Sequence, residues 1–163
     1  MFFASTTFTL LHVALSLIGI VAGFFAVIAI LQDRKAEGWT LTFFVTTVLT
    51  SVTGFLFPFS QFLPSHAFGV ISLVVLALAL AGKYAFHFAG PWRWIYVVGV
   101  VLALYLNVFV LVVQMFQKIP ALHALAPTQS EAPFAVAQLV VLIAFIAVGV
   151  AAVRKFRPAA LPA

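Results

Sequence analysis

The sequence has no cysteine and few charges, and it carries no acidic residue within its long apolar stretches. Without cysteine there is no disulfide framework, no thiolate metal site and no thiol redox chemistry, and nothing points to a redox compartment. Charged residues make up only 7% of the 163 residues, against about a quarter in a soluble domain. So few charges cannot cover a water-facing surface, so the expected solvent for most of the chain is lipid. The acidic residues Asp33, Glu37 and Glu131 all fall in connections. That disfavours a proton-coupled transporter, which uses a titratable carboxylate within its spans. A channel is disfavoured too, because one half of the expected bundle offers too few polar groups to line a wet path. No phosphate-binding glycine loop, His-Glu-x-x-His zinc motif or Gly-x-Ser-x-Gly elbow is present. Ser130 and His123 share one loop but lack a positioned third group, which leaves little basis for a hydrolase.

What the sequence has instead is 66% hydrophobic residues gathered in five runs, at about 8–31, 40–59, 67–88, 94–116 and 134–153. A span needs roughly 20 apolar residues, and strands of a membrane barrel would alternate over about 10. These runs are apolar on every side, and backbone in lipid must satisfy its own hydrogen bonds, so each is expected as a helix. The expected fold is a single all-α domain over 1–163, a bundle of five transmembrane helices. Residues 1–7 carry no basic stretch of the kind that opens a signal peptide, so the first run is expected to be retained. Short connections at 32–39, 60–66 and 89–93 make successive helices antiparallel neighbours. The fourth connection, 117–133, is the longest and most polar.

Seven of the eight Lys and Arg residues fall on one side of this arrangement: Arg34, Lys35, Lys83, Arg93, Arg154, Lys155 and Arg157. Only Lys118 lies on the other. The positive-inside rule then places the N-terminus outside and the C-terminus in the cytoplasm. Trp39, Trp92 and Trp94, with Tyr84 and Tyr96, form the expected inner aromatic belt. The net charge of +5 does not point to nucleic acid, because the cations lie between apolar runs and form no aromatic-interleaved patch. The expected partner is the bilayer itself.

With that orientation the buried polar residues gather in the outer half: His12, Ser16, Thr50, Asn107, Gln114 and Gln138. Asn107 and Gln114 are seven residues apart, on one helical face, which should point into the bundle. Such groups most often act as ties between helices. The sharper alternative is an outward-opening polar pocket for a small ligand, a quinone or a lipid headgroup. A separate alternative uses the histidines. His12, His66 and His123 would supply three imidazoles for a divalent metal such as Zn²⁺ or Cu²⁺, or His12 and His66 would hold a b-type haem. His87, beside Lys83 and Tyr84, reads as an interfacial anchor. Gly19 and Gly23 form a GxxxG pattern, suited to close packing within the bundle or to self-association.

Three strings resemble a family of small multi-pass proteins of proteobacteria to which no activity is attached. They are Gly38-Trp39-Thr40, the stretch 47–58 and Leu106-Asn107-Val108-Phe109-Val110, joined by the stretch 124–131. The resemblance covers most of the chain and implies a bacterial inner-membrane location. The functional expectation is a non-enzymatic membrane protein that binds a small ligand or lipid or partners other membrane proteins, with the haem or metal redox protein as the alternative.

Overall fold

The structure, a computed structural model, describes residues 5–58 and 64–158. Among these residues the fold is all helical. Helices α1 (Thr6–Leu31), α2 (Glu37–Gly54), α3 (Pro64–Leu80), α4 (Trp92–Lys118), α5 (Pro120–Leu125) and α6 (Ala132–Lys155) follow in order, and α3 runs on into a π-helical turn, Ala81–Ala85. Among the described residues, four helical stretches are long and apolar enough to cross a membrane: Thr6–Leu31, His66–Ala85, Trp92–Lys118 and Ala132–Lys155. Helix α2 falls short because it holds six threonines, a serine and Glu37 in 18 residues.

The ends of the helices follow local chemistry. Ser5 caps α1 by accepting the Phe8 N–H at 3.2 Å. Helix α2 starts three residues earlier than the apolar run, at Glu37, whose carboxylate suits the positive end of a helix dipole. It stops at Gly54, and the expected end at residue 59 lies outside the described residues. Helix α4 runs to Lys118, where Ile119 turns extended ahead of Pro120. Pro120 then opens α5, so the expected polar loop contains a short helix. At the other end, His87 and Phe88 adopt φ of +45° and +62°, which non-glycine residues seldom do. The Phe88 ring pins this turn by meeting Tyr96 and Phe156 edge-on, at 4.9 and 5.4 Å between centroids.

Helix α4 is the centre, touching α1, α3, α5 and α6, while α2 packs on α1 and α3. The core runs through Phe43, Leu76, Val97, Val100 and Leu104, all buried. The glycine pattern is used inside the bundle. A Cβ on Gly19 would stand 2.9 Å from Thr46 Oγ1, and one on Gly23 2.7 Å from Leu104 Cδ1 and 2.8 Å from the Phe43 ring. Both glycines are buried, so three helices converge where only hydrogen fits.

Helix α2 is turned inside out relative to a soluble amphipathic helix. Thr40, Thr46, Thr47 and Ser51 face inward and are buried. Leu41, Val45, Leu49 and Val52 form an exposed apolar stripe.

Candidate functional site

The polar residues singled out from the sequence lie toward the end of the bundle that holds Ser5, Gly54 and Glu131, but they do not converge on one pocket. Three of the six, His12, Asn107 and Gln138, tie one helix to another. Ser16 donates to the His12 carbonyl at 2.9 Å, one turn back on its own helix. Asn107 Nδ2 donates to Thr47 Oγ1 at 3.1 Å, joining α4 to α2. Gln138 Nε2 donates to the Phe109 carbonyl at 3.1 Å, joining α6 to α4. Gln138 Oε1 and Thr50 Oγ1, both buried, have no hydrogen-bond partner among the described residues, and neither has Ser72 Oγ on α3.

Gln114 departs from the expectation that it shares the inward face of Asn107, because it is exposed. Helix α2 accounts for this. Asn107 meets Thr47, and seven residues further along each helix stand Gln114 and Gly54, where α2 ends. At 1.5 Å per residue the two advance in step, so no further turn of α2 remains to cover Gln114.

The pairing of Asn107 predicts a modest and specific energy. Asn107→Leu leaves the buried Thr47 hydroxyl without its donor and should cost about 1 kcal/mol. Adding Thr47→Val removes the stranded group and should recover most of that loss in detergent-unfolding measurements. A double variant as unstable as the sum of both changes would show that the pair is not coupled.

The histidines are dispersed. His12 Nδ1 lies 2.8 Å from Thr53 Oγ1, and its ring meets Phe57 edge-on at 5.1 Å. The Thr53 hydroxyl also lies 2.7 Å from the Leu49 carbonyl. In the tautomer in which that hydroxyl donates to the carbonyl, His12 donates through Nδ1 and Nε2 keeps its lone pair. His66 is buried and stacks on Phe55 at 5.6 Å. His123 is exposed on α5. Among the described residues, no three His, Cys, Asp or Glu side chains come together as a metal-holding group. The three-imidazole set is not assembled because α5 carries His123 on its exposed surface.

The connection after α4 is organised by Glu131. Its carboxylate accepts from Thr128 Oγ1 at 2.8 Å and from the Thr128 and Ser130 N–H groups at 3.2 and 3.1 Å. Desolvation raises this carboxyl, but the hydrogen bonds outweigh it and hold the group below the ordinary glutamate range. Gln129 Nε2 fastens the loop to α4 by donating to the Val113 carbonyl at 2.9 Å.

The opposite end holds a constellation around Lys83, the neighbour of the expected interfacial anchor His87. Lys83 sits in the π-helical turn with its side chain only 10% exposed. Its ammonium pairs with Glu37 at 2.8 Å and lies 5.5 to 6.0 Å from the Tyr84, Phe88 and Tyr96 ring centroids. π-Helical turns often mark functional sites, but no motif announces one from sequence. The available signal was the Gly82-Lys83-Tyr84 run, with aromatics following at 88 and 96.

Fold and site together define a helical membrane protein in which His12, Asn107 and Gln138 join one helix to another. Comparison with known protein families, with curated proteins and with solved structures finds no match.

Proposed function

We propose that the chain is a non-enzymatic multi-pass protein of the bacterial inner membrane. Five helices, α1, α2, α3, α4 and α6, span the bilayer, with the N-terminus outside and the C-terminus in the cytoplasm. Its role is binding and assembly within the bilayer. The observation that carries this reading is the inverted helix α2. Thr40, Thr46, Thr47 and Ser51 are buried while Leu41, Val45, Leu49 and Val52 are exposed, an arrangement favoured only where the surrounding solvent is apolar. Helix α6 agrees, since it buries only Gln138 and Ala152 of its 24 residues and leaves the rest to lipid or partner helices.

The absence of native cysteine makes the test direct. Single-cysteine variants at Ser130 and Arg157, both exposed, should be labelled from opposite sides by a membrane-impermeant maleimide in intact cells. Ser130→Cys should react at once and Arg157→Cys only after permeabilisation. The reverse pattern would invert the protein, and equal labelling of both would remove the odd number of spans.

The histidine arrangement supports a second reading. With Nδ1 donating to Thr53, His12 presents a Nε2 lone pair, which is how a protein prepares an axial haem or metal ligand. The redox reading predicts a Soret band in the purified protein that His12→Ala abolishes. A colourless preparation with no bound metal sinks it.

A further inference from the structure

A cleft of about 220 Å³ opens sideways between α4 and α6. Val98, Val101 and Tyr105 form one wall, and Phe145, Ile146 and Gly149 the other. The buried Val101 is its floor, and the exposed Val98 and Ile146 are its lips. Tyr105 and Phe145 close on each other at 5.7 Å between centroids. Gly149, with no side chain, leaves room in the cleft beside Val101.

The same seam between α4 and α6 ends in cations. Arg93 Nη1 donates to the Val153 and Phe156 carbonyls at 2.9 and 2.6 Å, bridging the first turn of α4 to the last turn of α6. Its other guanidinium nitrogens have no partner among the described residues. Arg154, Lys155 and Arg157 are exposed beside it. Among the described residues the one ion pair is Lys83–Glu37, so none of these four cations has a carboxylate on its head. The nearby Asp33 accepts the Arg157 backbone N–H at 2.8 Å and offsets part of this positive charge. Trp94, exposed one turn below Val98, sits where aromatic rings mark the boundary of a leaflet.

We infer that this cleft and its basic mouth bind one anionic phospholipid, an acyl chain lying along α4 and α6 and the phosphate on Arg93 and the last turn of α6. The dimensions agree. Val98 and Tyr105 stand five and twelve residues above Arg93, roughly 7 and 18 Å along the helix. That matches the depth of an acyl chain in one leaflet, about half of a 30 Å core. A second copy of the chain is a poorer occupant, since pairing through this face would bring two sets of uncompensated cations together. The inference rests on the membrane reading above and is independent of which side is cytoplasmic.

The test uses the full chain purified in a neutral detergent. Native mass spectrometry would follow titration with phosphatidylglycerol and with phosphatidylcholine of the same acyl chains. One phosphatidylglycerol per chain should be retained, bound about tenfold more tightly than phosphatidylcholine. A Cβ on Gly149 would meet Val101 Cγ1 at 3.6 Å, an ordinary contact, and Gly149→Leu would extend from there into the cleft, its folding checked by far-UV circular dichroism in the same detergent. That variant should lose the tight site for both lipids. The surface double variant Arg154→Gln/Lys155→Gln should reduce phosphatidylglycerol to the phosphatidylcholine level and leave the latter unchanged. Equal retention of the two lipids by the native chain would overturn the inference. So would tight binding that survives Gly149→Leu, or a dimer that Gly149→Leu splits. A chain that stays in solution without detergent would fail the membrane reading instead, a distinguishable result.

Discussion

Gly23→Val is expected to lower the stability of the bundle by about 3 kcal/mol, the largest loss for any single change on the glycine stripe. Replacing a glycine within a helix ordinarily gains up to about 1 kcal/mol, for alanine, through backbone entropy. Here the added carbon would lie 2.7 Å from Leu104 and 2.8 Å from Phe43, and both side chains are fully buried with no direction in which to yield. The steric cost therefore exceeds the propensity gain, and the branched valine enlarges it. Leu104→Ala alone should cost about 3 kcal/mol through the cavity it leaves. The double variant Gly23→Val/Leu104→Ala should be less unstable than the sum by at least about 1 kcal/mol, because the valine methyls occupy the vacated space. Thermal or denaturant unfolding in detergent measures all three. Strict additivity would mean that α1 does not meet α2 and α4 at this point. Within the chain, Thr46 faces Gly19, and Phe43 and Leu104 face Gly23.

The second prediction concerns an asymmetry at the basic end. Glu37→Gln should cost about 2 kcal/mol, whereas Lys83→Met should cost less than about 1 kcal/mol. The two side chains form one ion pair at 2.8 Å, but their surroundings differ, with Lys83 at 10% and Glu37 at 64% exposure. Removing the lysine leaves a carboxylate that water already solvates. Removing the carboxylate leaves an ammonium enclosed by helix and rings, compensated only by its attraction to Tyr84, Phe88 and Tyr96. The two unfolding midpoints, compared at one pH near neutrality, decide the matter. Equal losses would place Lys83 in solvent, as a snorkelling residue would be. A larger loss for Lys83→Met would show that the stem of the lysine, rather than its charge, is what the π-turn requires.

The four apolar stretches Thr6–Leu31, His66–Ala85, Trp92–Lys118 and Ala132–Lys155 were legible in the sequence because each is long, apolar on all sides and bounded by charge, proline or glycine. The boundaries of α2 were not. An apolar-run criterion favours Thr40 as its start and passes over Glu37, whose carboxylate is welcome at a helix N-terminus. The short helix α5 was hidden in a stretch rich in polar and small residues. At the candidate site, the tie between Asn107 and its neighbour followed from the cost of an unpaired amide in an apolar medium, although Thr47 as the partner did not. Gln114 shows the limit of periodicity, since it lies on the face of Asn107 but past the level of Gly54, where α2 stops, and is exposed. The burial of Lys83 rests on a π-turn and two left-handed residues at 87 and 88, none of which a pattern of 3.6 or 2 residues encodes.

By itself the sequence determined the solvent: too few charges for water, too many long apolar runs for anything but a helical bundle in an apolar phase. Only the tertiary structure decided which face of each helix turns inward. In a membrane the core and the surroundings are about equally apolar, so burial leaves little periodic mark on the chain. The orientation is set instead by where a glycine admits two neighbours, as at Gly23, and by which hydroxyl, amide or ammonium finds a partner on another helix.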